Sequence, residues 1–230
     1  MIVGRDAGRP RSETAEANSV SRATRVVSRA FAIGALFLFV VSAPILMLWL
    51  DVRWLRNTVG EISATELMQL ACIGLTAASF ARLAQRSHED RGFATLAAGF
   101  FACMLIRELD AVLDMLVDGL WQGLVAIVAV SCVTYAALRW RLTLRGMARL
   151  LISRFGLVMT IGLALLLAYS RLLGKGALWQ DLLEDGYVRV VKNAVEESAE
   201  LLGDTLILIA GLGYVGNRLR RLRRRASALC

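Results

Sequence analysis

One histidine and no Cys-x-x-Cys pair leave this 230-residue chain with few of the groups that hold soft metal ions. Zinc and copper sites, which draw on imidazole and paired thiolates, are disfavoured accordingly. The one histidine, His88, falls in a polar stretch and reads as a solvated loop residue. Cys72, Cys103 and Cys132 lie inside apolar runs, where a thiol behaves as a small hydrophobe. Cys230 follows a basic tail without forming a C-a-a-X box, so a lipid anchor is not expected there. Charge is missing as well, over all 20 residues from Phe31 to Leu50. A soluble domain returns apolar residues at short intervals around one core; here 57% hydrophobic residues gather in long runs with charge between them.

Those runs set the fold class. A membrane-spanning helix needs about 20 predominantly apolar residues. The predicted spans are Phe31–Leu50, Glu66–Leu83, Gly92–Val117, Leu120–Leu138, Phe155–Leu173 and Val188–Val215. The expectation is an all-α integral membrane protein, a six-transmembrane-helix bundle. Residues 1–29 read as a basic, largely disordered arm, helical at most from Ser19. Residues 30–216 form the transmembrane domain and 217–230 an arginine-rich tail. No short apolar core with an early cleavage site follows the arm, so a cleaved signal peptide is not expected. Trp49, Trp54, Trp121 and Trp140 stand at span ends, as interfacial aromatics do. In residues 174–187, Leu178, Trp179, Leu182 and Leu183 are interspersed with Asp181, Glu184 and Asp185, which suggests a short helix lying in the interface.

Orientation follows from the basic residues. The arm, the loop around 84–91, segment 139–154 and the tail together hold 20 of the 27 Lys and Arg residues. The positive-inside rule puts these segments, and both termini, on the cytoplasmic side of a cell (inner) membrane. The net charge of +8 thus reads as a topology signal. The expected partners are the bilayer, anionic lipid headgroups at the basic loops, and a second copy or another membrane protein, with no nucleic acid.

Two spans carry acids where lipid would disfavour them. An ionised side chain in a span normally faces a protein interior, a water cavity or a partner charge. On the third span, Arg107, Asp110, Asp114 and Asp118 fall within an arc of about 80°, with Glu108 on one flank. On the sixth, Asn193, Glu196, Glu197, Glu200 and Asp204 fall within about 100°, with Lys192 beside them. At ~1.5 Å per residue, Arg107 and Glu200 lie ~21 Å from the cytoplasmic ends of their spans. The expectation is a buried acidic cluster between the third and sixth helices. Asp110, Asp114, Glu196, Glu197, Glu200 and Asp204 are its binding residues, and Arg107 is the counter-charge reaching Glu200 or Asp204. Acids outnumber bases, so protons, bound cations or a water-filled vestibule must relieve the excess. The sequence implies no resident cofactor; oxygen-only ligands would suit a hard cation such as Ca²⁺, Mg²⁺, Mn²⁺ or Na⁺.

The first functional reading is a small transporter- or channel-like protein for protons, cations or a basic solute. The second is a membrane scaffold or assembly subunit whose charges form a static ion-pair network. A third comes from Leu202-Gly203-Asp204, which resembles the end of the GxGD signature of intramembrane aspartyl proteases, with Leu201 at the place of the first glycine. That resemblance implies a hydrolase in which Asp204 pairs with Asp110 or Asp114. Gly211-Leu212-Gly213-Tyr214-Val215-Gly216 matches G-x-G-x-x-G, but no second strand or acid can follow in the remaining 14 residues. Those glycines read as helix-packing positions.

Overall fold

The computed structural model describes residues 11–53, 63–186 and 188–228. These residues form helices and no strand. Two compact units divide the chain, Met1–Ser42 and Ala43–Cys230.

The first unit is helical from Arg11, the start of α1 (Arg11–Arg53). The helix therefore reaches further back than the Ser19 limit expected of the basic arm, while residues 1–10 lie outside the described ones. Phe37, Leu38 and Phe39 are consecutive and all exposed. Successive helical residues point about 100° apart, so apolar side chains look out on several sides, as a helix immersed in lipid requires.

In the second unit α1 ends at Arg53, and α2 (Ala64–Arg86) follows a segment outside the described residues. Ser63 starts α2 through a capping box: its Oγ accepts from the Glu66 N–H at 3.0 Å, and its own N–H donates to the Glu66 carboxylate at 3.3 Å. Asp51, the first charge after the Phe31–Leu50 run, is a buried cap from the end of α1. It accepts from the backbone N–H groups of Ala64 (2.6 Å) and Thr65 (3.1 Å) and from the Thr65 hydroxyl (2.6 Å). These contacts satisfy donors that a helix start otherwise leaves unpaired.

A tight turn at Ser87–Asp90 returns the chain into α3 (Arg91–Glu108). The third span expected to continue to Val117 breaks at Leu109, and a short α4 (Asp110–Asp114) follows. The Asp110 carboxylate accepts from the neighbouring Ala111 N–H at 2.6 Å. A side chain that captures backbone donors in this way competes with the regular helix ladder. After a turn at Gly119, whose φ of 75° suits glycine, α5 (Leu120–Leu138) runs back. The basic segment 139–154 folds as α6 (Trp140–Ile152). It buries Thr143, Gly146 and Leu150 on one face and leaves Arg141 and Arg145 exposed.

The chain then rises through α7 (Arg154–Ala164), a π-helical turn at Leu165–Tyr169 and α8 (Ser170–Leu173). A short α9 (Gly176–Leu183) occupies the stretch expected to hold an interfacial helix. The last helix, α10 (Arg189–Ser227), is continuous from the acidic stripe through Gly211–Gly216 to the arginine tail.

Among the described residues, five stretches are long and apolar enough to cross a membrane: Val20–Asp51, Ala64–Arg86, Leu120–Leu138, Arg154–Leu173 and Arg189–Ser227. The 18-residue α3 carries Arg91, Arg107 and Glu108 and is not one of the five. Within the second unit α2 packs along both α3 and α10, and α10 also packs on α7. Phe80 of α2, fully buried, is the hub. Its ring meets Phe93 edge-on at 5.9 Å, stacks on Phe101 at 6.0 Å and lies 6.4 Å from Tyr214. Such ring pairs contribute about 0.5–1.5 kcal/mol each beyond area burial. Small residues allow the other crossings. A Cβ on Gly162 would come 2.9 Å from the Gly203 carbonyl, and one on Gly203 would come 2.9 Å from the Gly162 carbonyl. Without a hydrophobic force between helices in lipid, this backbone-to-backbone approach is what holds α7 to α10.

Candidate functional site

The acidic cluster forms where the first turn of α2, the end of α3, α8 and the first half of α10 meet. Four helical positions of α10 supply one wall: Asn193, Glu196, Glu197 and Glu200 recur at spacings of three and four and so share a face. Glu66 and Gln69 come from α2, Arg107 and Glu108 from α3, and Arg171 from α8. Together they line a cavity of about 240 Å³.

Charges in this cavity are partly paired. Arg107 meets Glu108 at 2.7 Å, and Arg171 meets Glu200 at 3.6 Å. Lys192 bridges to Glu196 at 3.1 Å while donating to the Gly174 carbonyl at 3.1 Å. Gly174 leaves space for that carboxylate, since a Cβ there would overlap Glu196. Glu66 is held by its capping box. The Glu197 carboxylate has neither an ion pair nor a hydrogen bond among the described residues. Five carboxylates thus face the arginines Arg107 and Arg171, and counting Lys192 still leaves two acids in excess. At separations of a few ångströms in a medium less polar than water, such an excess draws in positive charge.

The sequence-predicted residues distribute unevenly around this cavity. Glu196, Glu197 and Glu200 line it, with Glu108 and Asn193 beside them and Lys192 holding Glu196. Arg107 also lines it, but its ion-pair partner is the adjacent Glu108; the cation that meets Glu200 is Arg171. Asp110 is exposed and lines a neighbouring opening of about 680 Å³, which shares Glu66, Gln69, Arg107 and Glu108 with the smaller one. Asp114 lines neither; its carboxylate accepts from the Gly119 N–H at 3.0 Å and pins the turn before α5. Asp204 lies one helical turn below Glu200 and only 2% exposed, with Oδ1 unpartnered.

Two features rearrange the expected cluster. The third and sixth predicted spans share no extended contact, because α2 stands between α3 and α10. The break at Leu109 also turns Asp110 and Asp114 away from the line set by Arg107. Glu66, Gln69 and Arg171 are the members that sequence reasoning did not assign. The Ser63-x-x-Glu66 spacing marks a helix start and could have located Glu66. Nothing in the apolar fifth span singles out Arg171 as the partner of Glu200.

The carboxylates do not close around a point. Among the described residues, no three His, Cys, Asp or Glu side chains converge in a way that could hold a metal ion. The pair required by an aspartyl hydrolase is not assembled either, with Asp204 buried and both Asp110 and Asp114 exposed on the far side of the α3 break. Compared with known protein families, curated proteins and solved structures, the chain matches none.

Proposed function

We propose that this chain is a cell-membrane protein of six spans, with both termini cytoplasmic, that moves protons or a basic organic solute through the acidic cavity. Counting α3 as the sixth span rests on its ends. It starts where Asp90 meets Arg149 and Arg218, and it finishes beside Glu66 at the start of α2. It therefore runs between the same two ends of the bundle as α2, and its Arg107 and Glu108 neutralise each other. Orientation rests on the gathering of the Ser87–Asp90 turn, Arg149 and the arginine tail at one end of the bundle.

The observation that carries the reading is the cavity of about 240 Å³ in which five glutamates face two arginines. Its volume exceeds that of a few water molecules. Dispersed, non-convergent carboxylates suit a proton or a guanidinium- or amine-bearing solute better than a tightly ligated metal ion. Asp204, deeper on the same helix, would be the next acceptor for a proton leaving Glu200.

Reconstitution into liposomes tests this. The parent chain should carry a proton or basic-solute flux, and Glu197→Gln/Glu200→Gln should reduce it about tenfold or more, as expected when buried polar groups of a pathway are removed. No flux in the parent, or equal flux in the variant, rejects transport. The scaffold reading draws on the three ion pairs at Arg107–Glu108, Arg171–Glu200 and Lys192–Glu196. It predicts no flux and a second membrane protein that co-purifies in fixed ratio.

A further inference from the structure

At the opposite end of the bundle a second cavity, of about 470 Å³, opens between the α6–α7 junction and α10. Arg149, Arg154, Arg218 and Arg221 line it, together with Tyr214 and Asn217. Arg149 and Arg218 are already engaged with Asp90, at 2.8 and 2.6 Å, and this fixes their guanidinium groups in place. Asp90 is fully buried and is itself held by the Ser87 hydroxyl at 2.7 Å. Arg154 and Arg221 have no acidic partner among the described residues; Arg154 rests over the Phe155 ring at 4.8 Å. Asp90 and Glu89 are thus taken up by Arg149, Arg218 and, at 3.9 Å, Arg225, and the charges of Arg154 and Arg221 remain uncompensated.

A second, independent observation sits in the same cavity wall. Tyr214 is 3% exposed, and its hydroxyl has no hydrogen-bond partner. Leaving such a buried group unpaired costs free energy, and Arg154 and Arg221 stand in the same cavity wall with no acid of their own. A tetrahedral oxyanion would answer both, because its oxygens can accept from guanidinium N–H groups, the tyrosine O–H and the Asn217 amide at once.

We propose that this cavity binds a phosphate group, with Arg154 and Arg221 supplying the net charge, Arg149 and Arg218 the fixed rim, and Tyr214 a buried hydroxyl donor. The group is the phosphate of an anionic lipid headgroup or free inorganic phosphate. Binding would tie the start of α7 to the tail end of α10 and brace the end of the bundle remote from the acidic cavity. The proposal does not depend on transport.

Native mass spectrometry of the purified full chain tests it, with phosphatidic acid as the lipid probe and inorganic phosphate as the soluble probe. Phosphatidic acid should remain bound to the parent. Arg154→Gln/Arg221→Gln should weaken its binding about thirtyfold, the effect expected for two basic contacts. Tyr214→Phe, which keeps the ring against Phe80, should weaken it about tenfold, as loss of one hydrogen bond to a charged group would. It should also leave the unfolding temperature unchanged or higher, since it removes an unpaired buried hydroxyl. Arg82→Gln/Arg86→Gln, at a different basic patch, should change little. Competition by inorganic phosphate would identify the free anion as ligand, and its failure to compete would identify the headgroup; each supports the site. Absence of binding, or equal loss in the Arg82/Arg86 variant, overturns it.

Discussion

Asp51 shows how one side chain can set a site without lining it. It is 5% exposed and takes three hydrogen bonds from the first turn of α2. That turn presents Glu66 and Gln69 to the acidic cavity. Asp51→Ala should therefore lower stability by about 2 kcal/mol or more, through a lost cap and stranded donors. Asp51→Asn, which can still accept, should cost less, and the two unfolding midpoints measured side by side check the order. If Asp51→Ala costs no more than Asp51→Asn, the cap does not hold the turn. The sequence displayed Asp51 as one acid among polar residues after an apolar run, and its role depends on a contact 14 residues away. Glu197 and Glu200, in contrast, were legible, because acids at helical spacing within an apolar run escape lipid only by facing protein or water.

At the scale of elements, close approach between α7 and α10 sets how near Arg171 can come to Glu200. The π-helical turn at Leu165–Tyr169 lies between that crossing and Arg171 and shifts the register of everything after it. Gly203→Val would press a branched side chain onto the Gly162 carbonyl and Leu166. Overpacking of this kind costs about 1–3 kcal/mol, and the substitution should also loosen the Arg171–Glu200 pair. A lowered melting temperature together with faster proteolysis of the α7–α8 region is the expected outcome; an unchanged melting temperature would show that the crossing can open freely. Element positions were largely readable from hydropathy, since α2, α5, the α7–α8 run and α10 coincide with predicted spans. The break at Leu109 was not, because a helical wheel assumes an unbroken helix. The position of α2 between α3 and α10 was not readable either, because periodicity says which face is polar and nothing about which helix it meets.

Across the whole molecule the two ends of the bundle differ in sign. At one end Asp90 and Glu89 are surrounded by Arg149, Arg218 and Arg225; at the other, glutamates outnumber the arginines. The sequence carried this asymmetry in the placement of its basic residues, although the pairing of acids with particular arginines needed the folded chain. If the acidic end faces away from the cytoplasm, a cation on that side meets the cavity first, and the arginine-rich end holds the protein to the anionic leaflet.

That arrangement can be measured at Asn193, a neutral residue in the cavity wall whose replacement leaves every carboxylate in place. Asn193→Cys, in a chain with its native cysteines replaced by serine or alanine, would be exposed in intact cells to membrane-impermeant thiol reagents of opposite charge. Labelling from outside is expected, faster with the cationic reagent than with the anionic one, and slowed when Glu197 and Glu200 are changed to Gln. Labelling only after the cytoplasmic face is opened, or equal rates for both reagents, would contradict that arrangement.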